Sequence, residues 1–426
     1  MRNKFLLLKE NSFVRNVLIL STGTAMAQII SMGLSPFITR LYGPELYGLM
    51  GTFIAIVNMI SPIAALTLPI AIVLPKSDKV AIGIIKLSLV TTIAISVVIS
   101  IVLLLFTDLI IDTFNLQEIS SFLYYIPLVL FLAGCLQIIE QWMIRKKQFK
   151  INAKATLLQS LIINGGKVGV GYFYPFASVL ILFSAITQGL KAFLMFLLSR
   201  STRNLKNKLT YKGSLKWLFK SYKDFPLYRA PQTLINSISE GLPILMLASF
   251  FGPATVGFYN IGRTVLNMPT QLIGKSIGDV FYPNITEVAN NKGNVSRILI
   301  KATFILFSIG VVPFGIILLF GPFLFGFVFG GDWVTAGEYA RWIGLWSFTS
   351  LILQPSVRSL PVLKAQRFHL LFTIISLFIR LTLLTVAYYF FHKDTITVAV
   401  FGISSSLLNI ILIFITILLS KKINNK

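Results

Sequence analysis

Long apolar stretches alternate with short polar ones along almost the whole chain. Most of them hold about 20 residues, the length at which an α-helix crosses the hydrocarbon core of a bilayer. The pattern predicts an all-α, polytopic membrane protein with twelve transmembrane helices. The predicted spans are residues 16–39, 47–74, 81–106, 120–144, 153–174, 176–199, 227–251, 257–282, 299–320, 337–357, 368–391 and 396–419.

Two predicted helix junctions carry the same residues at the same spacing. The stretch "LYGPELYGLMGTFIAIVNM" begins at Leu41, and "FFGPATVGFYNIGRTVLNM" begins at Phe250, an offset of 209 residues. A third Gly-Pro, at Gly321-Pro322, is a weaker match because Gly-Pro alone marks any turn. The repeat predicts two six-helix bundles related by a pseudo-two-fold axis along the membrane normal, with a site between them. The predicted parts are an N-terminal half 1–199, a basic linker 200–225 and a C-terminal half 226–426.

The composition and the distribution of charge fit this topology. Hydrophobic residues make up 55% of the chain and charged residues 12%, and the net charge is +24. The N-terminus, the even-numbered loops and the C-terminal tail hold 28 of the 38 Lys and Arg residues, whereas the odd-numbered loops hold only Arg40 and Lys393. Because basic loops stay in the cytoplasm, both termini are predicted to be cytoplasmic. Topology therefore explains the positive charge without nucleic acid as a partner.

Several functional classes find no support in the sequence. One cysteine, Cys135, excludes a disulfide framework, and His369 and His392 suggest no metal site. The Gly-Lys-Ser at Gly274–Ser276 lacks the glycine that a phosphate-binding loop requires, because Pro269 stands there. The chain is therefore not expected to be an enzyme, because the motifs that an ATPase, a membrane glycosyltransferase or a polymerase would need are missing from it.

Seven ionisable residues lie well inside predicted spans. Each charge at bilayer depth costs about 2.5–3.5 kcal/mol on insertion scales, so these side chains are expected to face a bundle interior or a wet cavity. Five are cations and two are acids, and a surplus of positive charge in a low dielectric attracts anions. The seven are Lys167, Lys191, Glu240, Arg263, Lys275, Asp279 and Arg380.

Span eight gives the strongest indication of a polar face. Arg263, Asn267, Gln271, Lys275 and Asp279 recur every four residues and form one ridge on a helix. An alternative interpretation is that Lys275 and Asp279 pair at i,i+4 and only stabilise the helix.

Two other cations also have structural alternatives. Lys191 lies nine residues before Arg200 and could reach the cytoplasmic interface. Lys167 is near the middle of its span, beside Gly165 and Gly169, which are predicted to form a small-xxx-small packing contact.

Three stretches resemble bacterial polysaccharide transporters of the Wzx type. These transporters belong to the multidrug/oligosaccharidyl-lipid/polysaccharide (MOP) exporter superfamily, which also holds drug exporters and lipid II flippases. The resemblance runs along the whole chain and rests on diffuse hydrophobic patterns. The stretches are "NVLILSTGTAMAQIISMGLSPFITRLYGPELYGLM", "FYNIGRTVLNMPTQLIGKSIGDVFYPNITEV" and "VFGGDWVTAGEYARWIGLWSF".

The resemblance implies translocation of an undecaprenyl-pyrophosphate-linked oligosaccharide from the inner to the outer leaflet of the bacterial plasma membrane. It also implies a MATE-like secondary transporter without a cofactor, in which the two six-helix halves give alternating access around a cationic lumen, with H⁺ or Na⁺ as the suspected coupling ion. The implied partners are membrane lipids and polysaccharide assembly machinery. Depth and sidedness select Glu240 and Asp279 as coupling-ion candidates. By the same criteria the predicted substrate-binding residues are Arg263, Lys275, Lys167, Arg380, Lys191, Asn267 and Gln271.

Three other functions stay open at this point. A drug exporter of the same superfamily is expected to line its lumen with acids rather than with cations. A lipid II or spore-wall precursor flippase is expected to have fourteen spans, as its relatives commonly do. A scaffold that does not transport gains nothing from charges placed at bilayer depth.

Overall fold

Helices make up the regular secondary structure of the residues that the computed structural model describes, which are 12–199, 213–291 and 293–424. Contacts within the chain divide it into two compact units, Met1–Val256 and Gly257–Lys426. Side chains are described in these ranges except at residues 12–21, 269, 271–280, 282, 283, 290 and 422–424.

Among the described residues, the first unit contains seven α-helices of seven or more residues. Helix α1 contacts α4, α5 and α7, while α3 contacts α2 and α5. The helix bounds are α1 Ser12–Ile60, α2 Asp78–Phe114, α3 Ile126–Arg145, α4 Phe149–Phe173, α5 Ala177–Leu198, α6 Leu215–Ser221 and α7 Ala230–Phe251.

Five helices follow, and most of their residues belong to the second unit. Helix α10 contacts α9 and α12, and α12 also contacts α11. The boundary between the units falls in the first turn of α8, because α7 packs on α1 and α2. The division of the two repeats at the basic linker stays a prediction. The bounds are α8 Pro253–Asn290, α9 Val295–Phe329, α10 Val334–Ser359, α11 Gln366–Phe391 and α12 Asp394–Asn424.

The two copies of the repeated sequence form the same backbone turn. Gly43 has φ 70° and ψ 174°, and Gly252 has φ 86° and ψ −177°. This combination of a positive φ with an extended ψ is essentially restricted to glycine. Each glycine ends one helical segment, and the proline after it begins the next. The kink at Gly43 therefore separates the first two predicted spans within α1.

The third Gly-Pro does not form this turn. Gly321 and Pro322 lie inside the continuous helix α9. A Cβ atom on Gly321 would lie 2.5 Å from the carbonyl oxygen of Gly337 on α10. This glycine therefore allows two helix backbones to approach closely, which explains its presence without a turn.

Most predicted spans match described helices, with one clear difference. The second span was expected to continue to residue 74, but α1 ends at Ile60 and short 3₁₀ turns follow. Two prolines, Pro62 and Pro69, stand at the starts of these turns, where they remove backbone N–H donors. Leu66 and Thr67 also have positive φ values, which ends regular helix.

Eight described helices are long and apolar enough to cross a membrane. Their outward faces carry large apolar side chains, such as Leu104 on α2 and Phe390 on α11, which are 72% and 78% exposed. Such continuous apolar exposure fits hydrocarbon rather than water. The chain is therefore a multi-pass membrane protein of all-α architecture.

Candidate functional site

Two of the predicted deep arginines converge on one tryptophan in the second unit. The Cζ atoms of Arg263, on α8, and Arg380, on α11, each lie 6.0 Å from the ring centroid of Trp346 on α10. The two guanidinium groups are therefore no more than 12 Å apart. All three side chains are partly buried, so the arginines face protein rather than lipid.

Asn409 on α12 connects Arg380 to a polar cluster. The Nη2 atom of Arg380 donates to Asn409 Oδ1 at 3.4 Å, a long hydrogen bond. Asn409 in turn donates to the hydroxyl groups of Thr349 and Ser350 on α10, at 3.2 and 2.9 Å. The asparagine is thus held in place by α10 and presents its oxygen to the guanidinium.

Residues of α12 pack against Trp346 and hold its ring in place. The ring of Phe401, on α12, meets that of Trp346 edge to face, with 5.4 Å between centroids. One residue further on, a Cβ atom on Gly402 would lie 2.5 Å from the carbonyl oxygen of Trp342. Because this glycine lets α12 approach α10 closely, the aromatic contact and the Asn409 hydrogen bonds can form together.

Arg380 keeps donor capacity that the described residues do not use. Its Nε atom is buried and has no hydrogen-bond partner among them, and no described carboxylate lies within ion-pair distance of its guanidinium. A guanidinium presents paired donors that match phosphate oxygens. Inside a membrane protein such a group attracts an anion strongly, because the dielectric screening is weak.

Lys167 is the most buried of the predicted cations whose side chains the structure describes. Its side chain, on α4 of the first unit, belongs to a residue that is only 8% exposed. The Nζ atom donates to Ser184 Oγ at 2.9 Å and lies 3.4 Å from the sulfur of Met50. Tyr42, just before the Gly43 kink, donates its hydroxyl to the Lys167 carbonyl at 2.9 Å. The lysine thus joins α4 to α1 and α5 through neutral partners.

The glycines around Lys167 pack differently from the prediction. Neither Gly165 nor Gly169 has a described atom within 4 Å of its Cβ position, so the small-xxx-small contact was wrong. The close approaches are instead made by Gly166, to the ring of Phe183, and Gly171, to the hydroxyl of Tyr42. All four glycines share one helix, and a shift of one or two positions changes the face that they occupy.

Lys191 lies in an ion pair. Its Nζ atom is 2.6 Å from Glu140 Oε1, and the two side chains are 18% and 30% exposed. The pair joins α5 to α3. The sequence did not indicate this contact. A substrate-binding role for Lys191 stays a prediction, and the pair offers a structural alternative.

The remaining predicted residues are only partly described. Asn267 lies on α8, one helical turn after Arg263, and is partly buried. Glu240 is exposed on α7. Three further predictions concern side chains outside the described residues, although the helix that carries them is described: Gln271, Lys275 and Asp279.

Trp346 and Asn409 were missing from the predicted site. Both lie in apolar spans. There an aromatic side chain such as Trp346 is common, and a single amide such as Asn409 often serves only in helix packing. Asn409 interrupts the apolar run "SSSLLNIILIF", and that interruption was the available signal. The contact between distant helices is a tertiary feature that no local pattern contains.

Comparisons with known proteins agree with these observations. A family model described as polysaccharide biosynthesis protein matches residues 37–338, more than half of the chain. None of the curated proteins compared with the chain matches it.

Solved structures resemble the chain along nearly its full length. One described as lipid II flippase MurJ, in an inward closed conformation, has a TM-score of 0.72 and 16% identity, covering 96% of this chain and 90% of that chain. An inward-facing multidrug resistance MATE family transporter of the MOP superfamily has a TM-score of 0.66 and 13% identity, covering 95% and 96%. A MATE in complex with MaD5 has a TM-score of 0.60 and 14% identity, covering 99% and 98%. At these identities the likeness concerns the fold.

The long apolar helices define a multi-pass membrane protein whose fold is similar to those of these solved structures. Within that class, the chain belongs to the polysaccharide biosynthesis protein family.

Proposed function

We propose that the protein is a flippase for an undecaprenyl-pyrophosphate-linked oligosaccharide, such as a capsule or O-antigen repeat unit. It moves this substrate from the cytoplasmic to the outer leaflet of the bacterial plasma membrane, with both termini in the cytoplasm. The observation that carries the proposal is the convergence of Arg263 and Arg380 on Trp346 in a chain of the polysaccharide biosynthesis family.

The charge of the substrate headgroup supports this assignment. A pyrophosphate is the strongly charged part of a lipid-linked glycan, and moving it through a low dielectric is costly without counter-charges. Two guanidinium groups no more than 12 Å apart can supply those counter-charges and paired hydrogen bonds. Lys167 provides a further buried cation in the first unit. An organic cation, the kind of substrate that a drug exporter carries, is repelled by the same groups.

Transport is proposed to occur by alternating access, with H⁺ or Na⁺ as the coupling ion. Glu240 and Asp279 remain the proposed coupling-ion residues. The cavity between the two halves, predicted from the repeat, also stays a prediction.

A lipid II flippase is the second candidate. It is favoured by the likeness to the structure described as lipid II flippase MurJ, at a TM-score of 0.72. Because both candidate substrates carry a pyrophosphate, the arginine pair fits either one. Only the group attached to the pyrophosphate distinguishes them.

The test uses purified full-length protein in liposomes that contain either lipid II or an undecaprenyl-pyrophosphate-linked oligosaccharide. Exposure of the glycan to a membrane-impermeant reagent measures flipping. We expect flipping of the oligosaccharide lipid, and about a tenfold or greater loss in Arg380→Gln, the scale of a lost charged hydrogen bond. Arg367→Gln is the matched control, since Arg367 is an exposed arginine on the same helix.

Two results contradict the proposal. Faster flipping of lipid II than of the oligosaccharide lipid supports the second candidate instead. If the wild type, Arg263→Gln and Arg380→Gln flip the substrate at equal rates, the arginine pair is not part of the transport site.

A further inference from the structure

A groove of about 740 Å³ opens on the second unit. Its lining residues include neither arginine of the pair. It lies where α9 begins and α12 ends. The residues that line it include Ser296, Arg297, Ile300, Lys301, Phe304 and Lys421.

The groove carries concentrated positive charge. Arg297, Lys301 and Lys421 are exposed, and the lining residues include no acid. The positive end of the α9 dipole lies here too, although the negative end of α12 opposes it. An anion in the groove therefore meets three cations at once.

One buried hydroxyl in the groove lacks a partner. Ser296 is 5% exposed, and its Oγ atom has no hydrogen-bond partner among the described residues. A buried hydroxyl without a hydrogen bond is costly. Turning Oγ toward an anion in the groove gains a hydrogen bond without losing one.

An apolar strip runs beside the cations. Ile300 and Phe304 are 43% and 67% exposed and lie one helical turn apart, as do Arg297 and Lys301. The two pairs form parallel stripes on α9, one charged and one apolar. A ligand that satisfies both has an anionic head and a hydrocarbon tail.

We propose that this groove binds an anionic glycerophospholipid of the surrounding bilayer. Its phosphate lies among Arg297, Lys301, Lys421 and the Ser296 hydroxyl, and an acyl chain lies along Ile300 and Phe304. The sequence predicts that both helix ends face the cytoplasm, where anionic lipids attract basic segments. A free phosphate would contact the cations but would leave Ile300 and Phe304 without an apolar ligand.

Native mass spectrometry of the full-length protein tests the proposal. The probes are dioleoylphosphatidylglycerol, dioleoylphosphatidylcholine as the neutral-headgroup lipid, and glycerol phosphate as a soluble competitor. We expect preferential retention of phosphatidylglycerol, and little displacement by glycerol phosphate. The triple variant Arg297→Gln, Lys301→Gln, Lys421→Gln should bind phosphatidylglycerol roughly 100-fold more weakly, because each cation near an anionic headgroup contributes a similar part of the binding free energy.

Two single variants test whether the groove binds the lipid through specific contacts rather than through general surface charge. Ser296→Ala should weaken phosphatidylglycerol binding by about tenfold. The midpoint of thermal unfolding without lipid should stay the same or rise, because the variant removes a buried hydroxyl that lacks a partner among the described residues. Phe304→Ala should weaken lipid binding and leave glycerol phosphate binding unchanged. The matched control removes three exposed lysines elsewhere, in Lys216→Gln, Lys220→Gln, Lys223→Gln.

Several outcomes overturn the proposal. Equal retention of the two lipids removes the preference for an anionic headgroup. An equal loss in the control triple variant reduces the effect to general surface charge. Binding of glycerol phosphate as tight as that of the lipid, unaffected by Phe304→Ala, makes the groove a site for free phosphate.

Discussion

Lys167 donates a 2.9 Å hydrogen bond from its Nζ atom to the hydroxyl of Ser184, on the neighbouring helix. That hydroxyl donates in turn to the carbonyl oxygen of Leu180 at 2.7 Å. No carboxylate among the described residues lies within ion-pair distance of the amine. A buried lysine with neutral partners is costly to the fold, so its presence favours a role in binding an anion.

Lys167→Met should separate stability from transport. Methionine has a similar length, and it removes the cost of burying a charge that has no counter-charge among the described residues. We expect an unchanged or higher midpoint of thermal unfolding in detergent, together with reduced flipping in liposomes. Ser184→Ala, which removes only the hydroxyl partner, is the control. A stable variant with normal flipping removes Lys167 from the transport site.

Trp346 should matter for its aromatic face more than for its volume. Each arginine near the ring contributes about 0.5–2 kcal/mol of cation–π attraction, so losing the ring should lower flipping by roughly tenfold. We expect this loss in Trp346→Leu, while Trp346→Phe should stay close to the wild type. Trp217→Leu changes an exposed tryptophan on α6 and serves as the control. Equal activity of the leucine and phenylalanine variants contradicts a role for the ring.

The sequence predicted the helices and the class of protein better than it predicted contacts. Apolar runs of bilayer length are local, so most of the predicted spans match described helices. Arg263 and Arg380 stood out because a charge at bilayer depth is rare. Their convergence on Trp346, and the role of Asn409, depend on how α8, α10, α11 and α12 pack.

The glycines show the same limit. Gly43 and Gly252 were identifiable because the whole surrounding pattern repeats, and their backbone angles agree. Gly166 and Gly171 were not distinguishable from Gly165 and Gly169, since the contacts that they make belong to other helices.

Alanine at the two repeated glycines should destabilise the fold. A residue with a Cβ atom pays about 1–3 kcal/mol in the backbone region that Gly43 and Gly252 occupy. We expect lower unfolding midpoints in Gly43→Ala and Gly252→Ala. Gly33→Ala is the control, because Gly33 is helical and has no described atom within 4 Å of its Cβ position. Its unfolding midpoint should stay the same or rise, and an equal decrease in all three variants contradicts the backbone explanation.

The ion pair of Lys191 with Glu140 provides a test of whether Lys191 serves the fold or the substrate. Lys191→Met leaves a partly buried carboxylate without its partner, which should lower the free energy of unfolding by about 1–3 kcal/mol. Glu140→Gln in the same chain removes that carboxylate charge. The double variant should therefore recover most of the stability, with a coupling of about 0.5 kcal/mol or more between the two sites.

Flipping by the double variant Lys191→Met, Glu140→Gln decides between the two roles. If the pair only joins α3 to α5, the double variant should flip substrate at close to the wild-type rate, because the packing is restored. Lys216→Met, which changes an exposed lysine on α6, gives the baseline for losing one surface cation. A double variant that is as stable as the wild type but inactive, beside an active Lys216→Met and an active Glu140→Gln, shows that transport needs the Lys191 charge. That result supports a substrate-binding role for Lys191, the role also proposed for Arg263, Arg380 and Lys167.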